Sequence, residues 1–153
     1  MSNSEQSLFN IMAELKERAK ELSCLYKVDE IINNHDYTSE KVLEEIVKAI
    51  PVAWQYPEIC VVKITMPDKI FTSENFTETI WKQSADIVVL DKIIGHINIY
   101  YTEQKPDFDE GPFLKDERKL LDSIAGRISN FLLHNKLKHV FNEMQTQAAD
   151  LEE

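Results

Sequence analysis

The chain has 153 residues, 43% of them hydrophobic and 9% aromatic, enough for one domain with a real core and too much for a largely disordered chain. With 27 acidic against 17 basic side chains the formal charge is −10 at pH 7, which excludes nucleic acid as a partner because its phosphates would be repelled. Two distant cysteines, Cys24 and Cys60, exclude a disulfide framework and point to a reducing compartment. A polar start and the lack of any apolar run near ~18 residues point to a cytoplasmic chain with neither leader nor membrane span.

Residues 1–7 read as a disordered polar lead. From Leu8 the apolar residues Leu8, Met12, Leu15, Ala19, Leu22 and Tyr26 advance in steps of 4, 3, 4, 3 and 4, a heptad seam with charge on the other faces. A second stripe, Leu25, Val28 and Ile32, opens near the end of this helix on a different side. The spacing therefore predicts one long helix over 8–33, its first half meeting a partner helix and its last turns meeting a domain core. The turn Asn33-Asn34-His35-Asp36 ends it. Thr38-Ser39-Glu40 is a capping signal for a second helix carrying Val42, Leu43, Ile46, Val47 and Ile50, which Pro51 terminates.

The β-branched run Ile59 to Met66 predicts a strand, and Lys69 to Thr72 a short second one. Ile80 to Leu90 and Ile93 to Thr102 form a hairpin with its tip at Asp91-Lys92. In its second arm Gly95, Ile97, Ile99 and Tyr101 line one face, and His96, Asn98 and Tyr100 the other. A very long helix follows from near Phe113 to about residue 148, roughly 50 Å. Its seam Leu121, Ile124, Ile128 and Phe131 gives way to Leu133, Leu137, Val140, Met144 and Leu151, which faces nearly the opposite way. One small domain cannot bury both, so the second seam needs another helix, most simply from a second copy. Strand runs followed by helices imply an α+β domain, an antiparallel sheet with helices on one face and long N- and C-terminal helices.

These features resemble the GAF domain family, in its bacterial and archaeal sensor modules. Leu15-Lys16-Glu17-Arg18 through Glu21-Leu22-Ser23-Cys24-Leu25-Tyr26 resembles the signalling helix that leads into such domains, and Ala53-Trp54-Gln55-Tyr56-Pro57-Glu58 a signature ahead of the first strand. Phe76-Thr77-Glu78-Thr79, Trp81-Lys82-Gln83-Ser84 and the Gly95 hairpin continue the likeness, and Phe108 to Ile128 resembles the closing helix. The resemblance implies a GAF-like domain over 34–132 between a signalling helix and a coiled-coil extension over 133–153. It also implies a sensory or regulatory role with an output partner such as a histidine kinase. The Asn-Lys-Phe-Asp-Glu-type signature of the cyclic-nucleotide-binding members is missing, and Ser73 to Thr79 is a short connection for a lid over a deep pocket.

No catalytic constellation, metal-ligand spacing or phosphate loop stands out, so no enzyme activity, metal or cofactor is expected. His134 and His139 read as exposed helix residues, and Asp109 or Glu110 as acids that meet the positive start of the long helix. Trp54, Tyr56, Phe71, Phe76 and Trp81 gather around the sheet edge, where they either pack a small core or form a shallow pocket. In the pocket reading Tyr56, Phe76 and Trp81 stack on a small ligand, Lys82, Gln83 or Asn98 orients it, and His96 with Asn98 adds a polar floor. The resulting expectation is a non-catalytic sensory module, with a structural dimerisation or adaptor domain as the alternative. Its homodimer would form through Leu8, Met12, Leu15, Leu22, Leu133, Leu137, Val140 and Met144. The helical end at Leu151-Glu152-Glu153 suggests a segment of a longer signalling protein or a stand-alone remnant.

Overall fold

A computed structural model describes residues 3–152, with side chains described to residue 149. Three helices and four strands follow one another as α1 (Asn3–Ile32), α2 (Ser39–Ala49), β1 (Cys60–Thr65), β2 (Ile70–Thr72), β3 (Lys82–Val89), β4 (Lys92–Tyr101) and α3 (Lys115–Glu152). The strands make one antiparallel sheet in the order β2-β1-β4-β3. This is the expected α+β architecture with long terminal helices.

Alternation along the strands sorts the sheet into two faces. Cys60, Val62 and Ile64 of β1, Ala85 and Ile87 of β3, and Ile97, Ile99 and Tyr101 of β4 point inward and are buried. Against them pack Cys24, Val28 and Ile31 of α1, Val42, Leu43, Ile46 and Val47 of α2, and Leu121, Ile124 and Ile128 of α3. All three helices thus cover one face of the sheet. The amphipathic spacing of α2 buries its four apolar residues together, and the Thr38 hydroxyl caps it by accepting from the Lys41 amide at 3.1 Å.

Three boundaries differ from the sequence expectation. The helix expected from Leu8 starts at Asn3, so residues 3–7 are helical; Met1 and Ser2 of the expected lead lie outside the described residues. Neither Gly nor Pro interrupts Asn3–Ile32, and extending an existing helix by one residue is far easier than nucleating it. Strand β3 starts at Lys82 rather than Ile80, because residues 73–81 form a strap across the outer sheet face. There the Phe76 ring meets Tyr100 edge-on at 5.5 Å, and the Thr79 hydroxyl donates to the Tyr101 carbonyl at 2.7 Å.

The hairpin tip is Leu90-Asp91, one residue earlier than expected, with φ of 52° and 63° and Val89 paired to Lys92. Between the pairs Ile87–Gly95 and Val88–Ile93 the residue Ile94 is left over, and this bulge shifts the tip. The left-handed geometry at both positions is that of a two-residue hairpin turn. Gly95 sits just beyond the last β1–β4 pair, Thr65 with His96, where the end of β1 leaves no room for a side chain. A Cβ there would press into the Thr65 carbonyl oxygen and lie 2.9 Å from Met66 Sδ. Gly95→Ala is expected to cost about 2 kcal/mol or more, read as a lower urea midpoint at unchanged slope.

Helices α1 and α3 run side by side in the same direction. Arg18 Nη2 meets Asp116 Oδ2 at 2.6 Å and Arg127 Nε meets Asp29 Oδ1 at 2.9 Å, and both pairs are 98 residues apart. The first turns of α1 therefore run past the start of α3, by about 20 Å, while α3 from Leu133 onward runs past the end of α1, by about 30 Å. The two extensions leave the domain at opposite poles.

Candidate functional site

The extensions carry the seams read from the sequence. Leu8, Met12, Leu15, Leu22 and Tyr26 on α1 are each between 59% and 73% exposed, and Phe9 and Ile11 beside them are exposed too. At ~100° per residue this stripe lies about opposite to Cys24, Val28 and Ile31, which hold α1 on the core. The stripe stays outward as far as Tyr26, the end of the expected seam, and so reaches beyond the first half of the helix that was expected to meet a partner. On α3, Leu137, Val140 and Met144 are exposed and Leu133 half-buried, again opposite to the core-facing Leu121, Ile124 and Ile128. The side chain of Leu151 lies outside the described residues.

On each helix the stripe is roughly a quarter-turn from the residues facing the other helix, Arg18 and Asp29 on α1, Asp116 and Arg127 on α3, and on the side away from the sheet. Both stripes therefore share one outer surface. Along the domain the apolar part is carried by α1, while α3 contributes the exposed Asp122, Gly126 and Asn130. Beyond Leu133 the apolar part passes to α3.

The six residues expected to line a small-ligand pocket are divided between the two faces of the sheet. Phe76, His96 and Asn98 stand on the outer face; Tyr56, Trp81 and Gln83 pack on the inner side. Gln83 is only 1% exposed and accepts from the Trp54 indole N–H at 3.2 Å. Tyr56 meets Tyr101 edge-on at 5.4 Å, with the Lys105 ammonium 4.9 Å from its ring centre. Trp54 and Phe71, from the same aromatic group, are core residues on different edges of the sheet. The physical reason for the split is the period of two: Trp81, just ahead of β3 and hydrogen-bonded through its carbonyl to the Tyr101 amide, points to the same side as Gln83 of β3, while His96 and Asn98 of β4 point to the other.

On the outer face the strap and sheet form a polar cluster. Lys63 pairs with Glu78, which also accepts from the Tyr100 hydroxyl at 3.3 Å, and the Lys63 ammonium lies 5.7 Å from the Phe76 ring centre. Its hydrogen bond to Glu78 raises Lys63 above the usual lysine range, and Lys63 holds the Glu78 carboxyl below the usual range. In the next rows the Ser84 hydroxyl donates to Asn98 Oδ1 at 2.6 Å, and His96 Nδ1 lies 2.9 Å from Asp86 Oδ1. Lys63 and Glu78 were not singled out in the sequence, although a lone lysine inside a β-branched run was a visible signal.

Beneath the sheet the loop before β1 is tied to the start of α3 by Glu117, only 4% exposed. Its carboxylate accepts from the Gln55 amide at 2.7 Å, the Leu114 amide at 2.8 Å and the Tyr101 hydroxyl at 3.3 Å. Burial nevertheless pushes this carboxyl above the usual glutamate range. Burial also pushes the Cys24 thiol up to about 11 and Cys60 higher still, so neither is a ready thiolate. Asp109 accepts from the Lys115 amide at 2.8 Å at the start of α3, as expected of an acid at a helix start, and Glu110 takes Arg118 in a two-pronged pair at 2.8 and 2.9 Å. His134 and His139 are exposed on α3.

Among the described residues no helix is long and apolar enough to cross a membrane. Neither a protein-family model nor a curated protein matches the sequence.

Proposed function

We propose that the chain is a GAF-like, non-catalytic sensory or regulatory module that dimerises through α1 and α3 and passes a change at its domain to an output module such as a histidine kinase. The supporting observation is the outward apolar surface shared by two parallel helices that leave the domain at opposite poles. A monomer keeps this surface in water. A two-fold pairing along the helices would bury both stripes at once, so that a shift in one domain alters helix pairing on both sides of it. Sedimentation should find the wild-type chain dimeric at tens of micromolar; a monomer at that concentration would sink the reading.

A structural dimerisation or adaptor domain without a small ligand is the second reading. It is favoured by the division of Tyr56, Trp81 and Gln83 from Phe76, His96 and Asn98, and by the strap residues that fill the outer face over Tyr100.

A further inference from the structure

We infer that the groove between the α1–α2 turn and the outgoing part of α3 is a binding site for a small organic anion, one that carries a phosphate or carboxylate on a flat apolar body. The groove is open to solvent and measures about 900 Å³, within the range of small-molecule sites. One wall comes from residues 29–42 and the other from residues 127–142, segments of the chain that only the fold brings together.

Its charge is opposite to that of the chain. On a protein of net charge −10 the lining holds Arg127 and Lys138 together with three of the four histidines, His35, His134 and His139. Asp29 is the one carboxylate among the lining residues, and it is already occupied by Arg127 at 2.9 Å. Cationic ligands would find no free acid there. Among the described residues no three His, Cys, Asp or Glu side chains are placed to hold a metal ion, so His35 and His134 are available as hydrogen-bond partners for an anion, while His139 Nε2 lies 3.0 Å from Glu143 Oε1 at the outer end of the groove. Five asparagines add neutral donors along the rim, and Ile32, Tyr37 and Phe131, each half-buried, supply an apolar floor. A nucleic acid would meet the negative surface around the groove, which selects a small molecule.

The site does not depend on dimerisation. Both walls belong to one subunit, and Phe131 and Lys138 lie about a third of a turn round α3 from the stripe of Leu137, Val140 and Met144. A bound anion would add a third tie beside the Asn135–Ser39 hydrogen bond at 3.0 Å and the Arg127–Asp29 pair, and so bias the direction in which α3 leaves the domain.

Titration of the full chain with phenyl phosphate at constant pH, followed by the imidazole proton resonances, tests this directly, because His96 on the outer sheet face is a built-in control. Saturable shifts of His35, His134 and His139 with His96 unmoved are expected, as is binding at least about tenfold weaker in Lys138→Glu. Lack of saturation, His96 moving in step with the others, equal affinity in Lys138→Glu, or inorganic phosphate binding as tightly as phenyl phosphate would each overturn the inference.

Discussion

The double substitution Leu133→Glu with Leu137→Glu is expected to yield a folded monomer. Leu137 is 54% exposed and Leu133 half-buried at the point where α3 leaves the domain, so neither supports the core around Ile124 and Ile128. In a two-fold pairing the four leucines would each contribute about 1.5–3 kcal/mol of burial, and the substitution would also bring four carboxylates together. The dimer should therefore weaken by more than about 10⁴-fold, well beyond reach of a micromolar experiment. Circular dichroism and the urea midpoint of the monomer should stay close to those of the wild type measured at high dilution. A double variant that still sediments as a dimer would place the contact elsewhere, and one that unfolds would mean that the outgoing helix is part of the domain's own core.

Glu117 offers the second large effect. Glu117→Ala would leave the Gln55 amide, the Leu114 amide and the Tyr101 hydroxyl without their buried acceptor, at an expected cost of about 3 kcal/mol or more. Glu117→Gln should cost less. Its one oxygen can take the position of Oε2, which serves both Gln55 and Tyr101, while its NH₂ replaces the acceptor of the Leu114 amide.

The pH dependence has a definite sign. Burial raises the folded carboxyl above the ordinary value of 4.5, so the native state holds this proton more tightly than the unfolded chain. Stability from this group is therefore complete below the unfolded value and is lost as pH rises through the folded one. Glu45 and Glu78, held below the usual range by Lys41 and Lys63, act in the opposite sense but are common to both proteins. The stability advantage of wild type over Glu117→Gln should consequently shrink as pH rises from about 4 to about 7 in urea titrations. An advantage that grows with pH would mean that the three donors outweigh burial and keep the carboxylate ionised.

Much of the architecture was legible because it follows from local rules. The heptad steps of α1, the Thr38 cap, the β-branched run of β1 and the inward and outward rows of β4 each express a period or a capping preference that acts within a few residues. The reversal of the seam on α3 could be read in the same way, since ~100° per residue turns spacing directly into direction. Boundaries were less legible. The tip at Leu90-Asp91 depends on the Ile94 bulge, and the bulge depends on how β4 pairs with β3, which no single segment specifies.

The candidate pocket shows the limit more sharply. Tyr56, Phe76, Trp81, Gln83, His96 and Asn98 were grouped by their chemistry and nearness in the chain, but the pleat sends them to opposite sides of one sheet. Glu117 and Tyr101 meet, and His35 and His134 come to line one groove, only after α3 has packed along α1 and across β3. By itself the sequence determined the elements, their faces and the surplus of apolar helix surface, because those depend on the order of neighbouring residues. The tertiary structure alone decided which buried acid joins which donor and where positive groups collect on an acidic chain, because these depend on contacts between segments up to about a hundred residues apart, whose meeting is set by the packing of the whole core.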